Sequence, residues 1–266
     1  MNIIKKLLIN CFVVLSTAFF SQNSKAVMEI RYETKLIPDS LNKKNIQQYE
    51  AILLCNASES VYFSRDAKEY YSILSGKKEN SGTDVIRTAL GAIPKYPRNN
   101  SSIYKANGKL TAFMPVGKYI FSFEEPELKW EVLNETKEIK GFKCRLAKTR
   151  TDTGNEFFAW YTEDIAIPEG PFRFKGLSGM ILEIYNKSRT IEIYATDIQK
   201  SEELIEPIPY ASTVKAKNKM QYLDARKNYT DNPSAYNGNI RLFDASGKEI
   251  TGNIKKGLQK INVFFD

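Results

Sequence analysis

With 266 residues, 42% hydrophobic and 26% charged, this chain can build a normal core and is not a disordered polymer. Its formal net charge is +8 and it contains no histidine, which excludes Ser-His-Asp triads, Cys-His pairs and His-built zinc sites from this chain alone. The lysines are scattered instead of running together, so the basic balance reads as solvated surface and not as a nucleic-acid track.

The chain opens with Lys5 and Lys6, an almost unbroken apolar run from Leu7 to Phe20, and then Ser21-Gln22. That order of charged, apolar and small residues predicts a secretory signal peptide over residues 1–21, cleaved near Ser21. The run is short for a membrane span. Cys11 has Asn10 before it and Phe12-Val13-Val14 after it, a poor setting for lipid attachment, so it belongs to the leader. The mature chain is expected in the periplasm, at the outer membrane or secreted. Cys55 and Cys144 remain. In an oxidising compartment two such cysteines are a candidate disulfide, and two separate buried thiols are the alternative.

Aromatic residues reach 12%, with 15 Tyr and 15 Phe, which favours pleated sheet. Alternation predicts strands at Met28–Glu33, Tyr49–Leu54, Ser60–Ser64, Lys129–Val132, Phe142–Ala147, Phe157–Tyr161, Met180–Tyr185 and Thr190–Ala195. Turn residues join them at Lys140-Gly141, Thr153-Gly154-Asn155 and Asn186-Lys187-Ser188, so neighbours should run antiparallel. Residues 75–107 carry the weakest order signals. Two helices are expected. One is capped at Thr83-Asp84 and runs to Leu90, and a longer one spans Ser212–Tyr229 and lies on the sheet by a narrow face. Short strands are expected between Ile240 and Phe265, with a last one at Ile261–Phe264. The fold class is mainly β (α+β). A single curved antiparallel sheet or half-open barrel carries covering helices, in one domain over residues 22–266 behind the leader. Trp130, Cys144, Phe158, Trp160, Leu182 and Ile184 are expected in the core.

Motifs for chemistry are scarce. The acid pairs Glu124-Glu125, Glu163-Asp164 and Glu202-Glu203 are adjacent residues, which on a strand point to opposite faces. Gly176-Leu177-Ser178-Gly179 lacks the Lys-Ser/Thr ending of a phosphate loop. Asp244 to Lys248 places a lysine where a calcium loop needs oxygen. No cofactor, metal site or catalytic residue is therefore assigned.

The unusual segment is Ile165–Tyr185, where two glycine corners bracket Phe172-Arg173-Phe174. The bland reading is a tight corner that fixes strand register. The functional reading makes Phe172, Arg173, Phe174, Lys175, Gly176, Leu177, Ser178 and Gly179 a contact site. Alternation would then send the two aromatics to one face and the two cations, exposed, to the other. Such cations could meet anionic headgroups, a peripheral membrane contact.

Gly176-Leu177-Ser178-Gly179-Met180-Ile181 resembles the hexapeptide of the GLPGLI family of secreted bacterial proteins of the Bacteroidetes kind, with Ser178 and Met180 in place of proline and leucine. Ile139-Lys140-Gly141-Phe142-Lys143-Cys144 with Ala147, Ala159-Trp160-Tyr161-Thr162 and Gly170-Pro171-Phe172 resemble further motifs of that family. The resemblance implies export and supplies no catalytic residues. It also brings an analogy with the half-open barrels of periplasmic lipoprotein carriers. The leading functional expectation is non-catalytic binding of an apolar ligand or of an outer-membrane or other envelope protein. A histidine-independent hydrolase using carboxylates or lysine, and a purely structural partner of an outer-membrane assembly, stay open beside it. Asp39-Ser40-Leu41 resembles the O-glycosylation site of envelope proteins in this bacterial group, which makes Ser40 a candidate modification site.

Overall fold

The computed structural model describes residues 24–76, 95–233, 246–249 and 251–266. The expected leader, the helix expected at 83–90 and the start of the expected C-terminal strand region lie outside these residues.

The strands form one open sheet of twelve, and the mainly β expectation holds. In chain order they are β1 (Met28–Leu36), β2 (Gln47–Cys55), β3 (Ser60–Phe63), β4 (Ser102–Ala106), β5 (Lys109–Val116), β6 (Tyr119–Glu124), β7 (Trp130–Ile139), β8 (Phe142–Arg150), β9 (Glu156–Thr162), β10 (Met180–Asn186), β11 (Ile191–Lys200) and β12 (Val214–Lys215). Helix α1 is Arg65–Leu74, α2 is Lys219–Asp231 and α3 is Thr251–Leu258. Across the sheet the order is β12-β6-β5-β4-β3-β2-β1-β11-β10-β9-β8-β7. Every pairing is antiparallel except β12 with β6.

The sheet is two meanders, β2 to β6 and β7 to β11, joined through β1. Strand β1 is central, pairing with β2 on one side and β11 on the other. Strand β2 is buried on both faces along its second half, as a continuous apolar run should be. Ala51, Leu53 and Cys55 point into the main core, while Ile52 and Leu54 point to a second core. Tyr71 of α1 and Ile205 and Ile208 of the chain after β11 cover that second core.

Residues 102–124, where no strand was expected, form the β4–β6 meander. Its signal was Asn107-Gly108, the residue pair most suited to a two-residue hairpin. Both residues have positive φ, 52° and 72°, as that turn requires. Lys140-Gly141 turns the β7–β8 hairpin in the same way, with φ of 52° and 82°.

Three expectations are corrected. Helix α2 starts at Lys219, because Asn218 caps it by accepting from the Gln221 N–H, and residues 214–215 form β12 instead. Residues 251–258 are helical, and 261–266 run on without sheet pairing, tied to Pro38 O by the N–H groups of Asn262 and Val263. In β9 the phase is reversed. Phe157, Ala159 and Tyr161 face the core, and Phe158 and Trp160 lie half-buried on the outer face. There Phe158 stacks on Tyr185 at 5.5 Å and Lys137 Nζ sits 4.5 Å over Trp160. Trp130 is also half-buried, its indole N–H donating to Lys175 O. Cys144, Leu182 and Ile184 are in the core as expected.

The sheet curls so that its two wings share one interior. Glu125, directly after β6, and Asp152, shortly after β8, both reach Arg173, although β6 and β8 stand far apart in strand order. The segment 165–179 fills the space between the wings.

Candidate functional site

The corner at 168–179 is built by close backbone approach. A Cβ on Gly179 would lie 1.9 Å from Thr162 O, and one on Gly170 would lie 2.4 Å from Phe174 O. Neither glycine is there for φ. Only Gly176 is, at φ +93°. Phe172 has φ +52°, a conformation that bulky residues rarely adopt, and tertiary packing holds it. Its ring is 6.3 Å from Tyr62 and 5.2 Å from Phe265. The Phe174 ring packs 4.7 Å from Phe157.

The expected exposure of Arg173 and Lys175 is overturned. The segment Pro171–Lys175 turns instead of running as a strand, so alternation does not apply, and Phe172, Arg173, Phe174 and Lys175 are all buried. Arg173 is only 1% exposed. It donates through Nη1 to Asp152 Oδ1 at 2.8 Å and pairs through Nη2 with Glu125 Oε2 at 3.1 Å. Lys219, the first residue of α2, reaches the same two carboxylates at 3.0 Å each. Beside this quartet, Glu169 is fully buried and held by Lys175 at 2.5 Å and Lys105 at 2.7 Å. Of the other corner residues, Leu177 and Gly179 are buried, while Gly176 and Ser178 are exposed. Ser178 donates to Glu163 Oε1 at 2.6 Å.

A buried ion is tolerated only when paired, and these are. The electrostatics follow burial and partners. Burial pushes the Glu125 carboxyl up despite Arg173 and Lys219. Asp152 feels burial too, but hydrogen bonds from Lys219 and Arg173 hold it below the usual carboxylate range. Glu169 is likewise pushed up by burial and brought lower by Lys175 and Lys105. One atom is left over: the buried Nε of Arg173 has no hydrogen-bond partner.

Glu125 and Arg173 of the quartet, with Lys105 and Lys175 from the pairs on Glu169, border a cleft of about 370 Å³. Its walls are the β4–β5 turn at Gly108, the segment 124–128 and the corner residues Arg173, Lys175 and Gly176. Cβ atoms on Gly108 and Gly176 would meet nothing within 4 Å, so both glycines face open space. Glu124 and Glu125 both line the cleft, but of this adjacent pair Glu125 alone joins the buried ion network. No alternation pattern could flag it, because its partners Arg173 and Lys219 lie far along the chain.

Cys55 and Cys144 are free thiols, both buried, so the disulfide is not formed. Cys55 faces the main core from β2, across the sheet from β8, which carries Cys144. Burial pushes their thiols up to about 12 and about 11, which makes them inert packing groups. Ser40 lies in the turn after β1, where its hydroxyl accepts from Asn262 Nδ2 at 3.0 Å, and its neighbour Leu41 is 91% exposed. Among the described residues no cluster of acids and cysteines could hold a metal ion. No helix among them is long and apolar enough to cross a membrane.

Two solved structures of PNGF-II, in space groups C2 and P21, resemble the chain at 18% identity with TM-scores of 0.48 and 0.49. Each comparison covers 76% of this chain and 33% of the PNGF-II chain, so the chain spans about a third of their length. An uncharacterized conserved protein from Thermus thermophilus matches at 5% identity and a TM-score of 0.37, over 78% of this chain and 99% of its own. No curated protein matches. Residues 91–229 match the family described as N-glycanase peptide, N-terminal domain. That span is more than half of the chain and contains every member of the ion network from Lys105 to Lys219, and the chain belongs to this family.

Proposed function

We propose that the chain is a non-catalytic binding module of the bacterial cell envelope that holds a polypeptide partner. One observation carries this reading: the concave interior that a lipid carrier would keep open is filled by the 165–179 segment. Phe172 and Phe174 occupy it, and Tyr62 and Phe157 pack against them. Among the described residues the space between the wings is therefore taken up by the protein's own aromatics, and of the two binding readings the protein partner is favoured. The acids near the cleft also suit binding better than acid–base work. Glu125 and Asp152 are each shared by Arg173 and Lys219, so neither is free to exchange a proton.

The family description suggests the kind of partner. A domain named from the N-terminal part of an N-glycanase would work beside deglycosylation, so a glycan-processing enzyme or its glycoprotein substrate is the partner chemistry we favour. The leader expected over residues 1–21, and the likeness of residues 130–185 to GLPGLI proteins, support a role in the envelope or outside the cell.

Cross-linking in intact cells followed by mass spectrometry tests the reading. A protein recovered in stoichiometric amount supports it. A co-purifying lipid with no protein overturns it in favour of the carrier. Release of glycan from a glycoprotein by the purified chain alone would overturn the non-catalytic assignment.

A further inference from the structure

The cleft between the β4–β5 turn, the segment 124–128 and the corner is graded in charge. Its floor is cationic. Lys105, Lys175 and Arg173 line it, and together with Lys219, which lies outside the lining, they face only Glu125, Asp152 and Glu169 in their ion pairs, which leaves a surplus of one positive charge. Donors there are under-used. The buried Arg173 Nε has no partner, and Lys105 Nζ, the more exposed of the lysines on Glu169, engages that carboxylate through one contact. A buried, charged donor without an acceptor is costly unless something completes it.

The rim is acidic. Glu124 and Glu127 both line the cleft and both are exposed. Glu124 is shared with Lys109 at 3.5 Å, whereas Glu127 has no ion pair among the described residues. Between floor and rim the wall is aliphatic, from Leu110 and Leu128. A cationic floor, an apolar wall and an anionic rim complement a ligand with one negative end, an aliphatic body and one positive end.

We propose that this cleft binds a small zwitterion, a free amino acid or short peptide, with its carboxylate on Lys105 and Arg173 and its ammonium at Glu127. The volume, about 370 Å³, sits at the small end of the range of roughly 300–1,000 Å³ for ligand pockets, as a ligand of this size needs. Gly108 and Gly176 keep the mouth clear, since each borders open space where any larger residue would project. Zwitterion binding here does not depend on a polypeptide partner, and it stands or falls independently of that reading.

The test is isothermal titration of the full chain with glycyl-leucine, N-acetyl-glycyl-leucine and glycyl-leucinamide. The free dipeptide should bind, and each capped form should bind about tenfold more weakly, the loss of one charge-assisted contact. Lys105→Gln should weaken the free dipeptide about tenfold and leave the amide unchanged, because the amide lacks the carboxylate. Glu127→Gln, an exposed change that does not touch the fold, should weaken the free dipeptide and leave the N-acetyl form unchanged. No heat of binding at millimolar dipeptide overturns the proposal. So does equal binding of the capped forms, or a Glu127→Gln variant with unaltered preference for a free amino terminus.

Discussion

Arg173 decides whether the corner is a surface contact or a structural keystone, and its replacement separates the two. The side chain is 1% exposed and holds Asp152 at 2.8 Å and Glu125 at 3.1 Å. Arg173→Ala removes one of two cations from a pair of acids, leaving Lys219 to serve both. Glu125 is itself buried, so the uncompensated charge cannot escape to water. Breaking a buried pair from one side costs about 3–5 kcal/mol. For a chain of this size that lowers the melting temperature by about 6–20 °C. Urea unfolding followed by fluorescence of Trp130 and Trp160 reads the loss directly. The double variant Arg173→Met with Glu125→Gln removes both charges and leaves Lys219 paired with Asp152, so it should recover most of the stability. If Arg173→Ala falls within about 0.5 kcal/mol of the parent, as an exposed substitution does, the buried network is wrong. A double variant no more stable than the single one would refute the charge argument in the same way.

The two corner glycines should differ. Gly179→Ala forces a Cβ into backbone and should cost more than Gly176→Ala, which strains only φ and is expected to cost about 1–2 kcal/mol; thermal unfolding by circular dichroism ranks them. Stability should fall on acidification through the ordinary carboxylate range. Asp152 and Glu169 have lowered folded values against reference values of 3.8 and 4.5, so their contribution is present above that range and lost as pH drops through the folded values. Glu125, raised, works in the opposite sense, and Glu125→Gln should therefore steepen the acid loss seen in a pH series of melts. Cys55 and Cys144 should resist a thiol reagent in the native state and react together in denaturant; rapid native labelling would contradict their burial. Modification of Ser40 should appear as added mass on the protein purified from its own cells and vanish in Ser40→Ala.

Much of the sheet was legible because strand signals are local. Alternation and turn residues marked β1, β2, β3 and β7 to β11, and short turns made their antiparallel pairing a matter of geometry. The β4–β6 meander was written as clearly, in Asn107-Gly108, but lies beside a stretch with weak signals. Helix α2 was visible as a charged helical run, with its start misplaced because a side-chain cap at Asn218 outweighs one at Ser212.

Residue types alone excluded histidine chemistry and implied a mainly β chain. Tertiary structure decided which face of each strand is inside. In β9 the alternation Phe157-Phe158-Ala159-Trp160-Tyr161 offers aromatics to both faces, so periodicity could not choose, and packing against Phe174 chose Phe157. It also decided the fate of Arg173 and Lys175. Basic side chains are normally solvated, and burial becomes tolerable only when carboxylates arrive from elsewhere in the fold. Here those carboxylates come from the end of β6, from the β8–β9 turn and from the corner itself. They meet only because a sheet of twelve strands curls until its wings close on one segment.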